Sequence, residues 1–185
     1  MIINTVIKGF EFEFETLDNV FSPRRIDAGT LAMLSCVEFA EGQRVLDLGC
    51  GYGVVGITAA RFTAPENVYM VDVEPEAVSL SRKNAARNAV SGVNILQSDG
   101  FSALNEAGFD CILSNPPYHT DFAVAKKFIE KGFNRLKLGG KMFMVTKRKD
   151  WYKNKLISVF GGVRIHEADG YFVFEAQKRS ASYSR

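Results

Sequence analysis

The apolar residues of this chain change period along its length, and each change marks an element. Near the start, Ile2 to Ile7 and Phe10 to Phe14 flank Lys8-Gly9, and the second run alternates Phe10, Phe12 and Phe14 with Glu11, Glu13 and Glu15. A period of two predicts a half-buried β-hairpin. The polar loop from Phe21 to Thr30 then leads into a helix expected over about Thr30 to Phe39. From Arg44 the pattern becomes strand, turn, helix, repeated. Strands are expected at Arg44–Leu48, Val68–Val73, Val93–Gln97, Phe109–Ser114 and Lys141–Thr146, and helices near Val54–Phe62, Glu76–Asn88, Phe122–Leu136 and Trp151–Phe160. Such alternation predicts an α/β fold with a Rossmann-like, doubly wound parallel sheet. The end departs from it: Gly162–Glu167 and Tyr171–Gln177 are separated only by Ala168-Asp169-Gly170, too short for a crossover helix, so these two strands must run antiparallel. The expected architecture is a mostly parallel seven-stranded sheet that ends in an antiparallel hairpin strand, with a short N-terminal β-hairpin ahead of it.

Composition narrows this to one globular domain. At 185 residues, 46% apolar and 24% charged, the chain suits a single full core. We expect an N-terminal hairpin and helix over 1–40, a catalytic core over 41–177 and a frayed basic, Ser-rich tail over 178–185. No run approaches the roughly 18 uncharged apolar residues of a membrane span, and the first residues lack a basic stretch followed by an apolar one. A cytoplasmic location without a membrane partner is expected. Cys36, Cys50 and Cys111 are scattered and odd in number, which suggests buried thiols and neither a disulfide framework nor a metal site.

Charge adds a direction. The net charge of +2 hides 8 Lys/Arg against 16 Asp/Glu in residues 1–125, 11 against 2 in residues 126–155, and 4 against 3 in residues 156–185. A basic block of that size beside a candidate active-site loop suggests a polyanionic substrate, against the alternative that the lysines decorate a solvated helix face.

Two motifs carry the chemistry. Asp47-Leu48-Gly49-Cys50-Gly51-Tyr52-Gly53 follows a strand and opens a helix, so its backbone approaches a ligand at the carboxyl edge of the sheet. Because Gly51-x-Gly53-x-x-Gly56 also reads as a dinucleotide fingerprint, an NAD enzyme is a rival. Asp47 argues against it, since a carboxylate there would oppose a pyrophosphate at the helix N-terminus, whereas the ammonium and sulfonium of S-adenosylmethionine tolerate negative charge. With that cofactor, Asp72 at the end of the next strand would accept from the ribose hydroxyls and Val73 would pack on the adenine. Asp99, with Gly100, would bind the adenine amine, and Phe101 would flank the ring; the plainer roles for Asp72 and Asp99 are caps of the turns that follow them. Gly49, Cys50, Gly51 and Gly53 would line the loop.

The second motif is Asn115-Pro116-Pro117-Tyr118, which closes the apolar run Cys111-Ile112-Leu113-Ser114. A carboxamide oxygen and a backbone carbonyl can accept hydrogen bonds from a planar NH2 group while an aromatic ring stacks on it. The pair of motifs points to methyl transfer onto such an amine.

On these residues the chain resembles the class I S-adenosylmethionine-dependent methyltransferases, whose sheet ends in the antiparallel hairpin expected here. Within them it resembles the small-domain group of ribosomal RNA guanine-N2 methyltransferases. The likeness runs from about residue 20 to 177 and rests on Phe21-Ser22 with Asp27-x-Gly29-Thr30, the glycine loop, Ser114 to His119, and Leu138-Gly139-Gly140. It implies transfer of methyl to the exocyclic amine of a guanine in small-subunit ribosomal RNA. Asn115, Pro116, Pro117 and Tyr118 would be catalytic. Phe21 and Ser22 would line the pocket, Arg24 would touch phosphate, His119 would position the base, and Lys147-Arg148-Lys149 would meet the RNA backbone. Adenine-N6 methylation of RNA or DNA, glutamine-N5 methylation of protein, and a noncatalytic S-adenosylmethionine-binding partner are the alternatives. The best-known bacterial enzyme of this kind carries two such domains, and this chain has one; the sequence is silent on oligomeric state.

Overall fold

A computed structural model describes residues 1–117 and 121–183 of the chain. The alternating N-terminal residues form a two-stranded antiparallel sheet, β1 (Ile2–Ile7) and β2 (Phe10–Glu15), in which Phe12 and Phe14 turn inward and are buried. Helix α1 spans Ala28–Cys36, starting two residues before the expected position because Asp27 caps it: the Asp27 side chain accepts from Thr30 N at 2.9 Å. There follow β3 (Val45–Leu48), α2 (Val54–Ala59), a 3-10 turn (Pro65–Asn67), β4 (Val68–Asp72), α3 (Pro75–Arg87), β5 (Asn94–Gln97), β6 (Phe109–Ser114), α4 (Ala123–Arg135), β7 (Leu136–Thr146), α5 (Asp150–Phe160), β8 (Arg164–Ala168) and β9 (Tyr171–Gln177).

These strands make a seven-stranded sheet in the order β5-β4-β3-β6-β7-β9-β8. Strands β5, β4, β3, β6 and β7 are parallel; β9 runs antiparallel to both β7 and β8, between which it lies. Asp169 (φ +52°) and Gly170 (φ +80°) make the left-handed turn that so short a hairpin requires. Strand β7 begins five residues earlier than expected, because a register irregularity opposite Phe109 and Cys111 lets Leu136 join the ladder ahead of Lys141.

Alternate residues of the buried strands face opposite layers. Val45 joins the core beneath α1, α2, α3 and the N-terminal hairpin, and Leu46 joins the core beneath α4 and α5. The hairpin is fastened to α3 by two asparagines. Asn84 Oδ1 accepts from Glu15 N at 2.7 Å and its Nδ2 donates to Glu15 O at 3.0 Å; Asn88 does the same for Glu13 at 3.0 and 2.8 Å. The match is one of periods, since four helical residues rise about 6 Å and two strand residues about 6.6 Å. The outward edge of β2 is thereby closed by side chains in place of a strand.

The C-terminal tail behaves differently from the frayed segment expected from its composition. Lys178 is buried, donating from Nζ to Leu136 O at 3.0 Å, and the Tyr183 hydroxyl donates to Glu130 O at 2.6 Å with its ring edge-on to Phe133. Arg179 to Tyr183 are exposed, and Tyr183 ties this segment to α4.

Candidate active site

The carboxyl ends of β3, β4, β5 and β6 open into a cavity of about 470 Å³, within the usual range for small-molecule sites of roughly 300–1,000 Å³. It gathers most of the residues singled out in the sequence. Phe21, Ser22, Asp47, Gly49, Cys50, Gly51, Asp72, Val73, Asp99, Gly100, Asn115, Pro116 and Pro117 all line it.

The floor is the glycine loop. Gly49 N and Cys50 N donate to Val71 O at 2.9 and 2.8 Å, tying the loop to β4, and Gly51 N donates to Asp72 Oδ2 at 2.8 Å. Asp72 also accepts from Glu74 N at 3.0 Å through Oδ1, so its carboxylate holds two turns together and combines this with a place on the cavity wall. Gly53 stands apart from the cavity. It caps α2 at φ +105°, where a Cβ would sit 2.8 Å from Ile57 Cδ1, so the residue serves the turn and the packing of α2 on β4. Asp47 is 3% exposed and accepts from Gly56 N at 2.8 Å. Burial pushes its carboxyl up to about 7, against the lowering effect of that backbone bond and with a further push from Asp72. The Cys50 thiol is also driven upward, by burial first and then by Asp47 and Asp72, which keeps it a neutral packing group.

At the far wall Ser98 organises the turn after β5: its hydroxyl donates to Gly100 O at 2.7 Å and accepts from Ala103 N at 2.9 Å. Asp99 is exposed at this edge, and Val73, 53% exposed, offers an apolar face across from it. Phe101 corrects the expectation placed on it. It is buried at 4% in the core beneath α4, with the Arg135 guanidinium 5.4 Å from its ring, because the turn at Asp99-Gly100 directs the chain back under the sheet. Phe128 takes the place beside the cavity instead, within 3.3 Å of where a Gly100 Cβ would lie.

Asn115 sits at the end of β6, half-buried, and its orientation is determined by its neighbours. Its Nδ2 donates to Asp27 Oδ2 at 2.9 Å and to Thr30 Oγ1 at 3.0 Å. A carboxylate accepts only, so the amide nitrogen must face it. The Asn115 Oδ1 atom is buried and, among the described residues, has no hydrogen-bond partner. Such an atom ordinarily finds a partner. Tyr118 and His119 lie outside the described residues.

Beyond their place in the resemblance, nothing in the sequence assigns Asp27 and Thr30 to the site. Their capping pattern was readable, but their contact with Asn115 spans 88 and 85 positions. Tyr52 was likewise unforeseen: its hydroxyl donates to Ser22 O at 3.3 Å, and burial followed by the Asp27 charge raises it to about 12. Arg24 is exposed and lies off the cavity wall. Lys147, Arg148 and Lys149 also lie outside the cavity, at the carboxyl end of β7, each over an aromatic ring: Tyr171 at 4.9 Å, Phe122 at 5.2 Å and Phe172 at 5.5 Å.

Comparison with known proteins adds the following. The family profile described as "Methyltransferase small domain" matches residues 11–175. The uncharacterised protein YbxB of Bacillus subtilis is 33% identical over 178 residues, covering 93% of this chain and 89% of that protein. Ribosomal RNA small subunit methyltransferase C of Pseudomonas putida is 32% identical over 168 residues, covering 88% of this chain and 50% of the relative. Among solved structures, the Thermus thermophilus 16S rRNA N2 G1207 methyltransferase, in complex with AdoMet and guanosine, superposes with a TM-score of 0.88 at 32% identity, covering 97% of this chain and 50% of that one. The chain thus spans about half the length of these ribosomal RNA methyltransferases.

Proposed function

The chain belongs to the methyltransferase small domain family, and from that premise we propose that it transfers a methyl group from S-adenosylmethionine to the exocyclic amine of a guanine in RNA, most specifically the N2 amine in small-subunit ribosomal RNA. One observation carries the reading: among the described residues Asn115 Oδ1 is buried without a partner while its Nδ2 is tied twice. A fixed, desolvated acceptor of this kind calls for a donor from outside the protein, and an NH2 group is that donor.

The cavity fits the family's cofactor. A Cβ at Gly51 would meet no atom of the described residues beyond its chain neighbours within 4 Å, so the loop backbone is open to a ligand. Gly49, Cys50 and Gly51 would lie along the methionine end, Asp72 would accept from the ribose hydroxyls, Val73 would cover the adenine and Asp99 would take its amine. Gly53 supports the loop from behind. When bound, S-adenosylmethionine supplies a methyl group made electrophilic by the positive sulfur.

The protein's own task is alignment. An amine conjugated with a purine ring is a poor nucleophile, and Asn115 Oδ1 with the Pro116 carbonyl would accept its two N–H bonds and turn its lone pair toward the donor. Pro117 keeps the backbone rigid at this turn, Tyr118 would stack on the base and His119 would position it. After transfer the nitrogen is acidic and its proton passes to water. Phe21 and Ser22 line the entrance; Arg24 and Lys147-Arg148-Lys149 would meet phosphates.

The test joins cells and protein. Ribosomal RNA from cells lacking the gene should lose N2-methylguanosine by nucleoside mass spectrometry, and Asn115→Ala should lower kcat by about 10²–10³-fold on RNA from those cells. Loss of N6-methyladenosine alone would overturn the reading.

A further inference from the structure

We infer that Asp27 selects guanine over adenine, reading the ring N1–H beside the amine that Asn115 accepts; the inference rests on the proposed role of Asn115. Asp27 uses one oxygen twice. Its Oδ2 accepts from Thr30 N at 2.9 Å and from Asn115 Nδ2 at 2.9 Å. Its Oδ1 accepts no hydrogen bond among the described residues, and the side chain lines the cavity. Asn115 likewise keeps its Oδ1 unpartnered. Two side chains that line the cavity and are joined by one hydrogen bond therefore each keep one acceptor that no described residue uses.

The base that satisfies both acceptors must present two neighbouring donors. Guanine does, with N1–H next to the N2 amine. Adenine presents its N6 amine next to an N1 lone pair, and cytosine its N4 amine next to an N3 lone pair; either lone pair would face the carboxylate of Asp27. A site built around a specific donor rejects a ligand lacking it far more strongly than an apolar pocket rejects a misfit, because its buried polar groups are left unpaired.

The pair is held rigidly enough to discriminate. Asp27 is fixed as the cap of α1, and Thr30 Oγ1 holds Asn115 from a second side at 3.0 Å. Behind them, a Cβ at Gly29 would lie 2.7 Å from Tyr171 Cε1 and 2.9 Å from Asp27 Oδ2, so the ring of Tyr171 and the carboxylate close over a residue that has to be glycine.

Nucleosides isolate the N1–H. With saturating S-adenosylhomocysteine to block the cofactor's adenosine site, NMR titrations of the wild-type protein with guanosine, 2-aminoadenosine and adenosine give three affinities. 2-Aminoadenosine keeps the 2-amine and lacks the N1–H. Guanosine should bind about 5- to 150-fold more tightly than 2-aminoadenosine. In Asp27→Asn the amide oxygen still accepts from Thr30 N and Asn115 Nδ2, while the amide NH2 now faces the base, so the preference should shrink or reverse. Equal binding of guanosine and 2-aminoadenosine by the wild type overturns the inference, whether or not the variant folds. So does an unchanged guanosine preference in an Asp27→Asn protein that retains its melting temperature and S-adenosylhomocysteine binding. If the wild type instead favours adenosine and mass spectrometry finds methyladenosine as its product, the reading of Asn115 as a guanine acceptor falls, and the inference with it.

Discussion

Asp47 shows how a single buried carboxyl can serve a binding loop at a cost to the fold. Its pKa in the folded chain lies near 7, against an ordinary value of 3.8, and the first cause is burial. The folded state therefore holds a proton that the unfolded chain gives up in acid. The sign follows from linkage: stability from this group is full below about pH 4 and is lost as pH rises through 7. A shift of about three units corresponds to ~4 kcal/mol. Asparagine keeps an oxygen to accept from Gly56 N and has no charge to bury. Asp47→Asn should accordingly match the ligand-free wild type near pH 4 and exceed its melting temperature at pH 8, as scanning calorimetry at the two pH values would show. An offset that is the same at both would remove the account.

At the scale of elements, the N-terminal hairpin is held by α3 as well as by the pairing of its own two strands. Asn84 is fully buried and serves Glu15 N, Glu15 O and Tyr52 O. Asn84→Ala would leave all three backbone groups without that partner. Given about 1–3 kcal/mol for each buried polar group left unsatisfied, a loss of ~3 kcal/mol in urea unfolding is expected, together with faster hydrogen exchange at the Glu15 amide. A loss confined to a few tenths would mean that the apolar contacts of Phe12 and Phe14 suffice. This contact marks the limit of what the sequence discloses. The alternation of Phe10 to Glu15 announced a strand, and Ala168-Asp169-Gly170 announced a reversal, because each is a local pattern with a local cause. Asn84 and Asn88 read as ordinary polar positions of a helix, since nothing near them in the chain names β2 as a partner. The site divides the same way: Asn115 and the glycine loop were visible as motifs, whereas the hold of Asp27 and Thr30 on Asn115, and the turn of Phe101 into the core, depend on how distant segments meet. Arg61 and Phe62 fall outside α2, which ends at Ala59, although apolar spacing continued the helix through them.

For the whole molecule the question is how the basic block after the motif would serve the proposed RNA substrate. Of its lysines, Lys137 pairs with Asp110, Lys141 with Glu175 at 3.5 Å, Lys149 with Glu167 at 3.7 Å and Lys155 with Glu130 at 2.6 Å. Asp110, Glu167 and Glu175 come from outside the block and neutralise part of its charge, so net charge by segment overstates the field. Lys147 and Arg148 at the end of β7 stand on aromatic faces, and Phe122 beneath Arg148 is itself stacked on Trp151 at 4.4 Å with 9° between the planes. Such support limits the freedom of long cationic side chains and holds them at the same carboxyl edge as the cavity. Each phosphate they neutralise releases condensed counterions, contributing roughly 0.7 to the salt slope of single-stranded RNA binding. Replacing Lys147, Arg148 and Lys149 together by Ala should weaken RNA binding at low salt and reduce the slope of log K against log salt by about 1.5, less than the roughly 2.1 of three full contacts because Lys149 is shared with Glu167. S-adenosylhomocysteine binding should be unchanged, because all three residues lie outside the cavity wall. An unaltered slope, measured by filter binding at several salt concentrations, would move the RNA path away from β7 and toward the exposed lysines of α4, Lys126, Lys127 and Lys131.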